Sequence, residues 1–546
     1  MHEKADIVLI GEAVYTGVSP NETPSPGGLA VLGNKIVAVG DEDEIKGYIG
    51  EGTSVYRFDS NSLIMPGICD SHLHLELTIA AENGPQLRYV KSEEECVAIV
   101  KAWRDDHPGT PWIVGHGWHH SNWANKKTPD KKLLSETIPD TPVCLLDVDG
   151  HAAWLNQKAL DAFGIDENTP NEGGIIYRYE NGEATGFIEE GPCIDIFNMG
   201  CLAIVKDEVL RRNNLVETCK ILNKRGITSI MDALNTPPHW LKTIDQLLEA
   251  NELSLRLALT AFLNEGEDFI ECGKKLQEKY PSKTGLVSFW GIKALLDGVA
   301  GTKTAWMTDG YADDPEKKGY PSMDPEVLRS RVLEAESQGY GVHFHACGTR
   351  AVEFALDVVE EAKNKGLIKR QRNTITHCDS INNKDFSRFK ELGVVASVQP
   401  DMLAPTPSYK DNLYPKHLGE ELMANSWAYR KIFDNAPVVS MSSDSPVTIA
   451  NPFYGIYRAT QRIHDDGTPV GGIHPEQKVT LSECLWAYTY GGAYQLERED
   501  ILGSLEVGKL ADITVIDKNI FKADPSEYRS IEALLTIVDG KIVYEK

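Results

Sequence analysis

The sequence predicts an α/β chain: a (β/α)8 barrel of the TIM type with a large insertion, plus a small β-sandwich formed from both chain termini. Three observations predict it. The two ends resemble one another, each a β-branched run followed by a hairpin with a Gly-Asn or Asp-Gly turn. The middle alternates short apolar strands with helical stretches, the pattern of βα units and a parallel sheet. Side chains able to hold a metal fall at the carboxyl ends of those strands, where barrels of this kind carry their active sites.

Taken in order, residues 5–10 and 31–39 at the start and 511–516 and 537–543 at the end are read as one sandwich, contributed by residues 1–62 and 501–546. Residues 63–500 are read as the barrel. Its candidate strands are 63–69, 227–233, 255–262, 287–295, 341–346, 374–377, 394–399 and 438–442, with helices such as 207–224 and 324–338 between some of them. One connection is far too long: residues 70–226 separate the first two strands, where roughly 35 would complete an ordinary unit. The excess is read as an insertion over about 80–200, containing segments 115–123, 147–156 and a hairpin-like 173–189. Long insertions at the catalytic face of a barrel act as lids or specificity walls.

Composition narrows the function. With 55 Lys+Arg against 81 Asp+Glu the formal charge is −26, which repels phosphate backbones and anionic lipid, so neither nucleic acid nor a membrane surface is an expected partner. No apolar run approaches the ~20 residues that span a bilayer, and the start lacks the basic end and long apolar core of a signal peptide. The ten Cys include no Cys-x-x-Cys pair, so no zinc knuckle or dithiol site is written here, and a cytoplasmic location is expected.

The strongest chemical signal is Pro66-Gly67-Ile68-Cys69-Asp70-Ser71-His72-Leu73-His74. Two His two apart on a strand share a face, so His72 and His74 can reach one cation. Lys293 lies inside the apolar strand 287–295. A lone buried ammonium is costly, so it must be paired (with Asp297, for example), neutral, or modified. A neutral lysine can add carbon dioxide to become a carbamate, an anionic ligand able to bridge two metals. His343 and His345 form a second His-x-His at a strand end, His377 ends the next strand, and Asp444 ends the last. His345 and His377 are about one βα unit apart and His377 and Asp444 about two, which puts them after strands five, six and eight, with Lys293 in strand four.

These motifs resemble the amidohydrolase superfamily, and within it the YtcJ-like branch (amidohydrolase family 3) that includes N-substituted formamide deformylases. The resemblance runs over nearly the whole chain. It includes Asp149-Gly150-His151-Ala152-Ala153-Trp154 in the insertion, Ile292-Lys293-Ala294-Leu295-Leu296-Asp297-Gly298, His345-Ala346-Cys347-Gly348, Ser443-Asp444-Ser445-Pro446 and the closing Gly503-Ser504-Leu505 to Asp512. Thr349 and Thr376 depart from the branch, which commonly has Asp and Glu there.

The resemblance implies two divalent ions, zinc foremost, held by His72 and His74 on one side and His345 and His377 on the other. A carboxylated Lys293 would bridge them and Asp444 would touch the first ion. Such ions lower the pKa of a shared water. Asp444 would take a proton from it and deliver it to the leaving nitrogen of a small amide, formamide or related substrate. His116, Trp118, His119, His120, Trp123, Asp149, His151 and Trp154 mix aromatic faces with polar tips, which suits a substrate with an aromatic or bulky apolar group. Substrate contact is expected from His151, Trp118, His116, Asp149, Asp297 and His343. Asp297 could equally cap the following turn, and His343 could be a ligand or lie behind one. A homodimer is the general expectation. Two rivals remain open: a mononuclear deaminase or cyclic-amidine hydrolase on the same fold, without the bridging lysine, and a non-catalytic regulatory or binding protein that retains it. Decarboxylation is a smaller third.

Overall fold

The computed structural model describes residues 3–148, 152–171, 174–190, 207–263, 268–369 and 372–546. Its centre is a nearly closed barrel of eight parallel strands: Ile68–Leu73, Ile227–Asn235, Arg256–Leu263, Val287–Leu295, Gly341–Ala346, Thr374–His377, Val395–Val398 and Val439–Met441, paired in that order. The seam between the eighth and first strands carries no regular ladder. It is bridged by the Asp444 amide donating to the His72 carbonyl at 2.8 Å and the Ser71 hydroxyl to the Met441 carbonyl at 3.4 Å. The strands read as continuous apolar runs because both faces are covered, by helices outside and packed side chains within. Helix starts follow from local chemistry. Asp207 caps Glu208–Lys224 by accepting from two backbone amides, and Asp324 does the same for Pro325–Gln338, which also has Pro at its first position.

The strand expected over residues 63–69 is two strands. Leu63–Pro66 pairs with Ile513–Ile516 in a different sheet, and the barrel strand begins only at Ile68. The break falls at Gly67, whose amide donates to the Asp512 carbonyl at 2.9 Å. A Cβ at Gly67 would stand 2.3 Å from Thr228 Oγ1, so the chain can cross between sheets there only with no side chain. The Pro66-Gly67 dipeptide inside the apolar run is the sign of this break in the sequence.

The sheet that Leu63–Pro66 joins has eight strands drawn from both ends of the chain. Ile7–Val14 pairs with Ser25–Leu32, Ser54–Phe58 and Leu63–Pro66, and the carboxyl-terminal strands Ile513–Ile516, Ala533–Val538 and Lys541–Glu545 extend it. Between the first two barrel strands lies a separate five-stranded sheet: Ile113–Trp118, Val143–Asp147, Ala152–Leu155, Gly174–Arg178 and Ala184–Glu190. Its core is aromatic, with Trp118, Trp123, Trp154 and Phe187 fully buried against one another.

Candidate metal centre

Backbone geometry at the barrel's carboxyl face brings ligand-type side chains together. His72 lies one residue before the end of the first strand, and His74 immediately precedes the helix Leu75–Glu82. His345 lies near the end of the fifth strand and His377 ends the sixth. Three non-glycine residues here have left-handed backbones: His377 (φ 72°), Cys378 (φ 53°) and Asp444 (φ 58°). Such conformations are costly and persist where the surrounding structure enforces them, commonly at functional sites. At Asp444 the enforcing contacts are the bridge to His72 and the Ser443 amide, which donates to buried Asp70 at 2.9 Å.

The side chains form two adjoining groups. His72 Nε2 and His74 Nε2 lie 3.1 and 2.9 Å from Asp444 Oδ1, yet that oxygen makes no hydrogen bond. His345, His377 and Cys347 form the second group, each offering one atom within 4.8 Å of the others. The groups touch, with the His72 and His377 rings 5.2 Å apart and the His345 and His377 rings 4.3 Å apart. Lys293 and Asp444 face the same cavity as His74, His345 and His377.

Burial fixes the charge states. It pushes His72, His343 and His377 well below the usual imidazole value, helped for each by neighbouring Lys293 or histidine charge, and takes His345 to about 3. All four are neutral bases with a lone pair to donate. Burial also lowers Lys293 to about 7, with Asp444 pulling the other way. Lys293 Nζ has no hydrogen-bond partner, so a pairing with Asp297 is not formed. For Asp444, burial alone would raise the carboxyl. The close His74 ring, then His377 and Lys293, outweigh it and hold the group below its ordinary range, hence ionised.

A divalent cation fits this set. Buried His72 Nε2, Asp444 Oδ1 and Lys293 Nζ are all without hydrogen-bond partners, an expensive arrangement unless something else satisfies them. The donors are mixed imidazole nitrogen and carboxylate oxygen, suited to zinc, manganese, iron or cobalt.

The remaining expected site residues fall in different places. His343 is fully buried behind His72, its Nε2 2.6 Å from His72 Nδ1, and does not line the cavity. Asp297 accepts the amides of Trp306, Cys347 and Gly348 at 2.8–3.0 Å and so anchors the loop that carries His345. Burial raises its carboxyl to about 7. Trp118 is enclosed in the five-stranded sheet's core, its indole donating to the Leu145 carbonyl at 3.0 Å, which removes it from substrate contact. His116 belongs to that sheet and is likewise absent from the cavity wall. Asp149 and His151 lie outside the described residues.

The cavity beside the ligand groups measures about 340 Å³. Val148, Leu234, Phe262, Leu295, Val299 and Met402 give it an apolar wall. Several polar residues in its lining carry no expectation from the sequence, among them Cys347, Arg88, Asp401 and Asp379, whose carboxyl burial raises to about 7. Asp379 stands two residues after His377, a His-x-Asp pattern open to notice. Arg88 sits in the aperiodic start of the insertion and gives no such cue.

Fold and site together define a metal-dependent hydrolase on a parallel barrel. The chain belongs to the amidohydrolase family, which residues 60–544 match, and is accordingly a hydrolase of carbon–nitrogen bonds. It is 28% identical to "Protein LONG AFTER FAR-RED 3" of Arabidopsis thaliana, over 99% of this chain and 92% of that one. It is 26% identical to the "Putative amidohydrolase YtcJ" of Bacillus subtilis, over 89% and 90%. Against the "N-substituted formamide deformylase" of Arthrobacter pascens it is 24% identical, over 100% and 99%. A crystal structure of an uncharacterized metal-dependent hydrolase from Pyrococcus horikoshii shares its fold with a TM-score of 0.76 at 24% identity, covering 95% of this chain and 99% of that one.

Proposed function

We propose that the chain uses two divalent ions, zinc first, to cleave the C–N bond of a small amide or formamide with an apolar or aromatic substituent. The observation that carries this reading is the meeting of His72, His74 and Asp444 with His345 and His377 around an unpartnered, buried Lys293. His72, His74 and Asp444 would hold one ion, His345 and His377 the other, and a carboxylated Lys293 would bridge them. Bound ions would supply an activated water near neutral pH and polarise the substrate carbonyl. Asp444, ionised in its buried setting, accepts a proton at its carboxylate and returns it to the leaving nitrogen, which cannot depart as an anion. Asp297 holds the His345 loop in place, and His343 orients the His72 ring through its 2.6 Å contact. The apolar wall excludes water and receives the substituent. A relative named for formamide deformylation, 24% identical and aligned over nearly the whole of both chains, supports the substrate class. The five-stranded sheet is read as the specificity wall over the barrel mouth and the terminal sheet as a separate sandwich.

The test is a screen of formamides, amides and lactams with zinc-, manganese- and cobalt-loaded protein, run beside Asp444→Asn. The variant should retain metal while turnover falls about 100-fold or more. Near-normal turnover in the variant removes Asp444 from this role, and silence across the screen contradicts the substrate class.

A further inference from the structure

We propose that the substrate carries a carboxylate and that Arg88 binds it at the mouth of the cavity; this rests on the hydrolase reading and narrows its substrate class to small carboxylated amides such as N-acyl amino acids. Arg88 lines two spaces at once, the 340 Å³ cavity beside the ligand groups and a cleft of about 1030 Å³ outside it. Its guanidinium is held from one side only. Nη2 donates to the carbonyls of Pro446 and Val447 at 3.1 and 2.8 Å. These residues follow Asp444, whose own carbonyl accepts the Val447 amide at 2.9 Å. Arg88 is therefore fixed relative to the reacting groups. Its Nε and Nη1 make no hydrogen bond, and no carboxylate pairs with it, among the described residues.

Charge around it supports the same reading. Among the other charged groups of the cavity, Lys293 and Asp444 belong to the ligand cluster, Asp379 stands two residues after His377, and Asp401 is engaged with Arg458 at 2.9 Å, so among the described residues Arg88 is the cation that lines the cavity outside the ligand cluster. The outer cleft adds exposed Lys91, Lys126 and Lys410. Of its two carboxylates, Asp465 is already paired with Arg458 and Arg529. On a chain of charge −26 this is a local reversal of sign that leads inward to Arg88. A guanidinium with its fork open toward a cavity matches a carboxylate in shape as well as charge.

The experiment compares N-acetyl-phenylalanine with its uncharged primary amide, as ligands of the full-length, metal-loaded protein by calorimetry and as competitors of formamide turnover. The carboxylate should bind about tenfold tighter or more. Arg88→Met should erase that difference while leaving amide binding in place, and Arg88→Lys should keep part of it. Lys410→Glu should weaken the carboxylate alone, more so at low salt. Equal binding of the two ligands, binding of neither at millimolar concentration, or an equal loss of both in Arg88→Met would overturn the proposal; the last would make Arg88 a tether for the Asp444 turn. The two readings fail separately. Carboxylate discrimination without turnover of any amide contradicts the hydrolase reading alone, and turnover of neutral formamides without discrimination contradicts the carboxylate site alone.

Discussion

Lys293 is buried with no hydrogen-bond acceptor for its amine, and its stability cost is measurable. Burial takes it from 10.5 to about 7 in the folded chain. Between those values the unfolded chain holds the extra proton, so stability of the metal-free, unmodified protein rises with pH across that window. Below pH 7 both states are protonated and the cost is full. Lys293→Met in the metal-free protein should therefore raise stability by a few kcal/mol below pH 7, with the gain fading as pH approaches 10.5. Denaturant melts from pH 6 to 10 check this, and a gain that grows with pH would contradict it. The position of Lys293 is readable from sequence, because a charged residue inside an apolar strand is conspicuous. His72, His345 and His377 are readable for the related reason that strand-end residues project from the rim. Trp118 is not. An aromatic residue in an insertion looks the same whether it faces a ligand or a core, and only the packing of Trp123, Trp154 and Phe187 around it settles the matter.

At the scale of the element, the ligand geometry depends on loops as much as on strands. Asp297 satisfies three backbone amides from two segments, one of them the turn that follows His345. Asp297→Ala leaves those amides buried without an acceptor. It should lower stability by about 3 kcal/mol and weaken metal binding roughly 10- to 100-fold. Metal titration beside thermal melts separates the two effects, and unchanged affinity would reduce Asp297 to a turn cap. The alternating β and α pattern made these elements legible in outline. The break at Gly67 is marked only by the Pro66-Gly67 dipeptide, and the need for glycine there was not legible, because it depends on the approach of Thr228, a residue far away in the chain.

For the whole molecule, the barrel and the terminal sheet are joined by a buried ionic cluster. Arg256 in the third barrel strand is fully enclosed and pairs with Asp512 at 2.7 Å and Asp539 at 2.8 Å. Removing one partner strands a buried charge, so Arg256→Met should cost about 3–5 kcal/mol, and Arg256→Met with Asp512→Asn should recover part of it. No recovery in the double variant would mean that the arginine acts through packing alone. The matching hairpins of the two chain ends led to the expectation of a shared sandwich, and the structure joins strands of both ends in one eight-stranded sheet. The ion pair was not legible, since Arg256 and Asp512 are ordinary residues until the fold brings them together.

The central claim is that side chains from the first, fourth, fifth, sixth and eighth barrel strands surround a pair of cations. Anomalous diffraction at the zinc edge, with the density at Lys293 in the same crystal, tests it most directly. The account predicts two peaks, one among His72, His74 and Asp444 and one beside His345 and His377, with extra density joined to Lys293 Nζ between them. A single peak with a bare lysine amine, or peaks away from these residues, would contradict it.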